Sequence, residues 1–122
     1  MNTDFGKLLL RIGFGALMLP HGYSKLINLI SGNPQFANPF GIGEVPTLIL
    51  AVLTELVFPI LVILGIKTRI SAIPVILTMA IAAFVIHAGD PWTKKEMAVL
   101  YLVGYLAIAL LGSGKYAIQK NS

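Results

Sequence analysis

The feature that most constrains this chain is an apolar run from Val45 to Ile66 interrupted by a single ionisable group, Glu55. About 20 residues at about 1.5 Å rise each cover the hydrocarbon core of a bilayer, so the run is long enough to span one as a helix. A carboxylate near the middle of such a span costs about 3 kcal/mol or more. By default it marks a functional site or one half of a buried pair. Pro59, four residues on, lacks the amide proton that would bond the Glu55 carbonyl. Side chain and main chain of Glu55 therefore offer acceptors at one depth.

Composition says which solvent the rest of the chain expects. Of the 122 residues, 57% are hydrophobic and 11% are charged, and mean hydropathy is +0.85. A soluble domain carries about 25% charged residues, so lipid is the better match. The net charge is +4. The basic residues stand singly or in pairs between apolar runs and form no stripe, which argues against a nucleic-acid partner. There is no cysteine, so disulfides, thiolate metal sites, iron–sulfur clusters and thiol redox chemistry are excluded within the chain.

Four apolar segments predict helices over about 5–30, 45–66, 70–88 and 95–112 of a single domain, residues 1–122. Lipid leaves the backbone no partner but itself, and runs without strict alternation favour helices over barrel strands. The expected fold is an all-α membrane protein, an antiparallel bundle of four transmembrane helices. Ser31–Glu44 is turn-rich, with Gly32-Asn33-Pro34, Asn38-Pro39 and Gly41-x-Gly43. Gly65–Arg69 is a tight basic turn, and Gly89–Thr93 is a second turn. Thr93, with Glu96 three residues later, reads as the cap of the fourth helix. The first segment has a thin basic flank and no A-x-A site, so it reads as a span rather than a signal peptide. Lys7, Arg11, Lys67, Arg69, Lys115 and Lys120 fall on one side, and Lys25, Lys94 and Lys95 on the other. That bias puts both termini in the cytoplasm and the chain in the inner (cytoplasmic) membrane as a multi-pass protein.

At about 100° per residue, Arg11, His21 and Lys25 lie on one arc of the first helix, with Gly15, Met18 and Gly22 in the same stripe. Small residues there let a neighbouring helix approach closely. Rise per residue puts His21 about one turn above the bilayer middle. His87 ends the third helix and Glu96 begins the fourth. The sequence thus predicts a polar pocket with Glu55 at its floor and His87 and Glu96 at its rim. Arg11 lies lower, snorkelling or reaching up to Glu55. Glu55, His21 and His87 are the catalytic candidates; Arg11, Lys25, Glu96, Tyr101 and Tyr105 are the substrate-binding candidates. Each also has a plain structural role open to it: an ion pair for Glu55, a hydrogen bond for His21, an interfacial position for His87, a cap for Glu96 and packing for the tyrosines. A metal site is not expected, because the two histidines lie on different helices at no recognised ligand spacing. Bis-histidine haem needs ligands at one depth, and these differ.

These residues resemble the DoxX family of small bacterial membrane proteins. The resemblance runs through Arg11-x-x-x-Gly15, His21-Gly22-x-x-Lys25, Glu55, Leu64-Gly65-x-x-Thr68-Arg69-x-x-Ala72, His87, Glu96 and Gly112-x-Gly114-Lys115-Tyr116. The Ser-x-Asp that often follows in the family reads Ala117-Ile118-Gln119 here. The resemblance implies a membrane protein of four helices. It also implies kinship with quinone-linked oxidoreductase subunits, including the membrane part of thiosulfate:quinone oxidoreductase, and with oxidative-stress complexes. The expected function is therefore an oxidoreductase subunit, with a quinone as the candidate cofactor. The lipid bilayer, a membrane or periplasmic redox partner and self-association are the expected contacts. A noncatalytic assembly partner and a small-solute carrier remain alternatives.

Overall fold

The computed structural model describes residues 3–32 and 34–122, and every regular element among them is helical. Asn33, the centre of the expected Gly32-Asn33-Pro34 turn, lies outside the described residues. Four long helices follow in order: α1 (Thr3–Ile30), α2 (Glu44–Leu64), α3 (Thr68–Ile86) and α4 (Trp92–Leu111).

Helix α1 continues through Pro20 for 28 residues. Its buried positions are Arg11, Gly15, Met18 and Gly22, spaced four, three and four apart, which is one face of a helix. Two glycines on that face determine how close α2 can come. A Cβ on Gly15 would run into the Ile63 side chain, and one on Gly22 would collide with the carbonyl of Glu55. Backbone-to-backbone packing at Gly22 is possible only because that residue has no side chain.

Helices α2 and α3 are each long and apolar enough to cross a membrane, at 21 and 19 residues. Both contain one widened π turn, Leu53–Val57 in α2 and Ala82–Ile86 in α3. The first lies just before Pro59, where the hydrogen-bond ladder loses a donor. The second ends α3, with His87 N–H donating to the Ala82 carbonyl at 3.0 Å. Helix α2 stops at Gly65, whose φ of 73° is left-handed. A side chain there would also strike Ala117 and the Arg11 guanidinium. The three residues Gly65–Lys67 then return the chain along α2 as α3.

Helix α4 begins three residues earlier than its polar flank suggests. Its N-cap is Pro91, with no side-chain cap hydrogen bond, so the expected Thr93–Glu96 capping box does not form. Pro91 sits at φ −58°, which suits a helix entry without help from a hydroxyl.

Helix α1 packs along α2, α2 against α3, α3 against α4, and α4 back against α1. Met18, Val62, Val75, Tyr105 and Ile108 are among the buried residues of the common core. Outside it, Leu9, Leu17, Leu50, Leu77, Leu100 and Leu110 all face outward. An apolar exterior of this extent is the reverse of a water-soluble surface and suits lipid contact.

The tail after α4 folds back across the ends of α2 and α3. Ile118 and Gln119 N–H groups donate to the carbonyls of Leu64 and Gly65, and Arg69 N–H donates to that of Ser122. Arg11 ties this end together. It is 1% exposed and donates to the carbonyls of Val62, Ile63, Ser113 and Tyr116 at 2.7–3.0 Å. Val62 and Ile63 belong to the last turn of α2, whose carbonyls lack helical partners and carry the negative end of the helix dipole. Arg11 thus neither snorkels nor reaches Glu55, the two positions its place in the sequence suggested; the carbonyls at the end of α2 and in the tail draw it the other way.

The tight α1–α2 crossing makes a directional prediction. Gly22→Ala forces the two backbones apart and should cost about 1–3 kcal/mol. Gly13→Ala meets nothing within 4 Å and should be neutral or stabilise by up to about 1 kcal/mol. Thermal unfolding of both variants in detergent, followed by circular dichroism, checks the contrast.

Candidate functional site

Glu55 lies within the widened turn of α2 and is 3% exposed. Three residues beyond Gly22 on the facing helix, Lys25 reaches across, its Nζ 2.5 Å from both carboxylate oxygens. The Gly22 contact makes this pairing reachable, because it brings the two backbones together one helical turn from the charge. Lys25 keeps 28% of its side chain exposed, so the pair sits at an edge rather than in a sealed core. Its Nζ also stands 5.7 Å from the centre of the Phe36 ring, within cation–π range. Phe36 lies in the α1–α2 loop and carries no obvious sequence signal; its role follows from how that loop folds over the helices.

Two cavities meet at this ion pair. One, of about 190 Å³, is lined by Met18, His21, Lys25, Glu55, His87, Lys94 and Tyr101 among others. The His21 ring packs edge-on against Tyr101, whose hydroxyl donates to the Leu17 carbonyl at 2.9 Å. At the chamber's upper end, His87 Nδ1 and Asp90 Oδ2 are 2.7 Å apart. The hydrogen bond with His87 holds the Asp90 carboxyl below the usual carboxylate range. That contact is therefore present above the ordinary aspartate range and is lost as pH falls through the lowered value. With Nδ1 engaged, Nε2 is the ring nitrogen left for the chamber.

The second cavity is larger, about 460 Å³, and mostly apolar. It runs between α2 and α3 beneath the α1–α2 loop, from Phe36 and Phe40 past Leu50 and Leu77 to Ile86. Leu50 and Leu77 are more than half exposed, so the groove opens sideways through the apolar exterior. Lys25, Glu55, Met79, Ala82 and His87 line both spaces. An apolar groove and a polar chamber are thus separated by an ion pair with one face on each.

The structure brings together Glu55, His21, Lys25, His87 and Tyr101. It does not bring in the other three candidates. Arg11 is at the opposite end of the assembly. Tyr105 is fully buried nearer that end and donates to the Phe14 carbonyl at 3.1 Å. Glu96 is exposed and lies in a separate outer groove with Trp92, Met97 and Leu100. Glu96 lies two residues, about 200° around the helix, from Lys94, which lines the chamber instead. Among the described residues, no group of three His, Cys, Asp or Glu side chains could hold a metal ion, and no buried side-chain polar atom lacks a hydrogen-bond partner.

The sequence profile of the DoxX family matches residues 6–88, which contain most of α1, all of α2 and α3, and the Lys25–Glu55 pair. The chain belongs to the DoxX family. Membership and two apolar helices of spanning length together support a membrane protein in contact with the lipid bilayer. A Bacillus subtilis protein named "Putative oxidoreductase CatD" is 32% identical over 122 residues, covering 98% of this chain and 90% of that protein. An uncharacterised Haemophilus influenzae protein is 30% identical over 88 residues, covering 66% of this chain and 58% of that protein. No solved structure matches the chain significantly.

The ion pair can be weighed by a double-mutant cycle. Lys25→Met strands a buried carboxylate and should cost about 2–3 kcal/mol, below the 3–5 typical of a fully buried pair because Lys25 is partly exposed. Adding Glu55→Gln should recover most of that loss. Unfolding midpoints of the wild type, both single variants and the double variant give the coupling directly.

Proposed function

We propose that this chain is an oxidoreductase subunit of the inner membrane in which Glu55 exchanges protons with a lipid-soluble redox carrier of the quinone type. The observation that carries this reading is the ion pair shared by an apolar, laterally open groove and a polar chamber. A quinone has a flat ring with two carbonyls on an apolar tail. The groove offers apolar walls from Leu50 to Ile86 for such a molecule, and Lys25 and Glu55 at its end for a carbonyl or hydroxyl. Reduction of a quinone takes up two electrons and two protons, and oxidation of the quinol returns them. Glu55, His21 and His87 would handle the protons, with Lys25 tuning Glu55 and Tyr101 packing the relay. The chain has no cysteine, so electrons must come from or go to a bound cofactor or a partner protein's redox group. The name of the Bacillus relative is in keeping with this class of activity.

The accompanying topology is an antiparallel bundle of four spans with both termini in the cytoplasm. It is supported by the basic residues gathered at the tail end, Lys7, Arg11, Lys67, Arg69, Lys115 and Lys120, against Lys25, Lys94 and Lys95 at the loop end. A reporter fused after Ser122 should be active only in its cytoplasm-sensing form, whereas one inserted in the loop between α1 and α2 should be active only in its exported form.

A second reading is a noncatalytic assembly partner, favoured by the complete satisfaction of Glu55 by Lys25. The two readings part on one measurement. Purified protein with its membrane partners should catalyse quinone-dependent electron transfer, and Glu55→Gln should lower kcat by about 100-fold or more, the range general acid–base groups contribute. Unchanged turnover in a folded Glu55→Gln variant assigns the ion pair to packing.

A further inference from the structure

The two ends of the helix assembly differ in a way that bears on where protons come from. Toward the loop end, the chamber lies directly above Glu55. It is large enough for several waters and is lined by groups that can hold them or carry protons: His21 and Lys25 from α1, His87 from the end of α3, and Lys94 and Tyr101 from α4. Asp90 in the α3–α4 turn bonds His87 and carries this polar line out to the surface. Toward the tail end, the same carboxylate faces packed side chains. Below it lie Met18, Val75, Val62, Tyr105 and Ile108, packed in the common core, with Tyr105 and Val62 fully buried. Gly104 lets Phe14 press directly against α4 at this level. Beneath that layer Arg11 bonds four backbone carbonyls, and the tail from Ser113 to Ser122 closes over it. Seven residues of α2 separate Glu55 from Val62, which is about 10 Å of dry, close-packed side chains at the helical rise.

We infer that Glu55 gains and loses its proton from one side of the membrane only, the side of the α1–α2 loop and the α3–α4 turn, through the chamber of His21, His87 and Tyr101. The tail end is a seal, with Arg11 as its pin. The titratable and charged groups facing Glu55 are Lys25 and His21 from α1, His87 from just past the end of α3, and Tyr101 and Lys94 from α4, and all lie on the open side. The inference deepens the reading of Glu55 as the proton-exchanging group, because any carrier reduced or oxidised in the groove would then exchange its protons with a single compartment. Arg11 is a positioning residue in this scheme, acting through the packing it holds together.

The test uses the whole protein in proteoliposomes whose orientation is read by protease access to the tail. The Glu55 carboxyl stretch is assigned by difference infrared spectroscopy against Glu55→Gln, and pH is then jumped on one side at a time. The band should follow pH on the loop side, with a response to tail-side pH at least about 100-fold slower, since a proton crossing the dry layer meets an uncompensated charge barrier. His87→Gln should slow the loop-side response without creating a tail-side one. Arg11→Gln, where it folds, should admit tail-side protons. Equal responses from both sides, a response from the tail side alone, or no response from either side overturns the inference. Sidedness found without any quinone turnover would leave this inference standing and remove the redox reading. Turnover found with two-sided protonation would do the reverse.

Discussion

The contact between the Gly22 backbone and the carbonyl of Glu55 governs most of what this protein can do. With a side chain at position 22, α1 and α2 would separate by the width of a methyl group or more, and Lys25 would have to stretch to reach the carboxylate. With glycine there, the lysine arrives one turn later at the level of the acid and engages both oxygens. A carboxylate in a dry helical interior survives only when paired and hydrogen-bonded, so helix packing and charge pairing are one constraint. Pro59 and the widened turn before it occupy the same place on the other helix, where an irregular ladder is tolerated because neighbouring helices surround it.

The two inward-reaching cations of α1 solve opposite problems. Lys25 carries a flexible, partly exposed ammonium to a carboxylate at the edge of two cavities, an arrangement that a ligand or a proton can perturb. Arg11 places a rigid fork among four carbonyls and forms no ion pair among the described residues, and a guanidinium stays charged under all ordinary conditions. Its donors serve the orphan carbonyls of α2 and of the tail together. One end of the molecule is thereby closed and the other keeps its polar space. That asymmetry follows from the different chemistry of two residues fourteen positions apart on one helix.

The groove beneath the α1–α2 loop adds a third element. Its walls are apolar, its mouth opens toward the lipid-like exterior, and only its inner end carries charge. It is on this apolar space with one charged end that the proposal of a quinone-type carrier rests. Phe36 connects the loop to the ion pair through Lys25, so loop position and the environment of Glu55 are linked.

Much of this was legible in the order of residues. The apolar run of α2 with one acid inside it, the stripe of Gly15, Met18 and Gly22 with its two glycines, and the helical phase that aligns it with Lys25 are all periodic properties. A helix has only one way to express them. The family resemblance was legible as well, since it lies in motifs spread from Arg11 to Tyr116. Other features depended on the three-dimensional arrangement of helices and loops. Whether Glu55 would pair with Arg11, His21 or Lys25 turned on relative depth, and Arg11 was drawn to the carbonyls at the end of α2, where tail and helix ends converge. The placement of Phe36, the separation of Glu96 and Tyr105 from the chamber, and the division between chamber and groove likewise depended on how non-neighbouring segments meet. Local sequence sets the phase of a helix, but the partner of a buried charge is chosen by what tertiary packing leaves within reach.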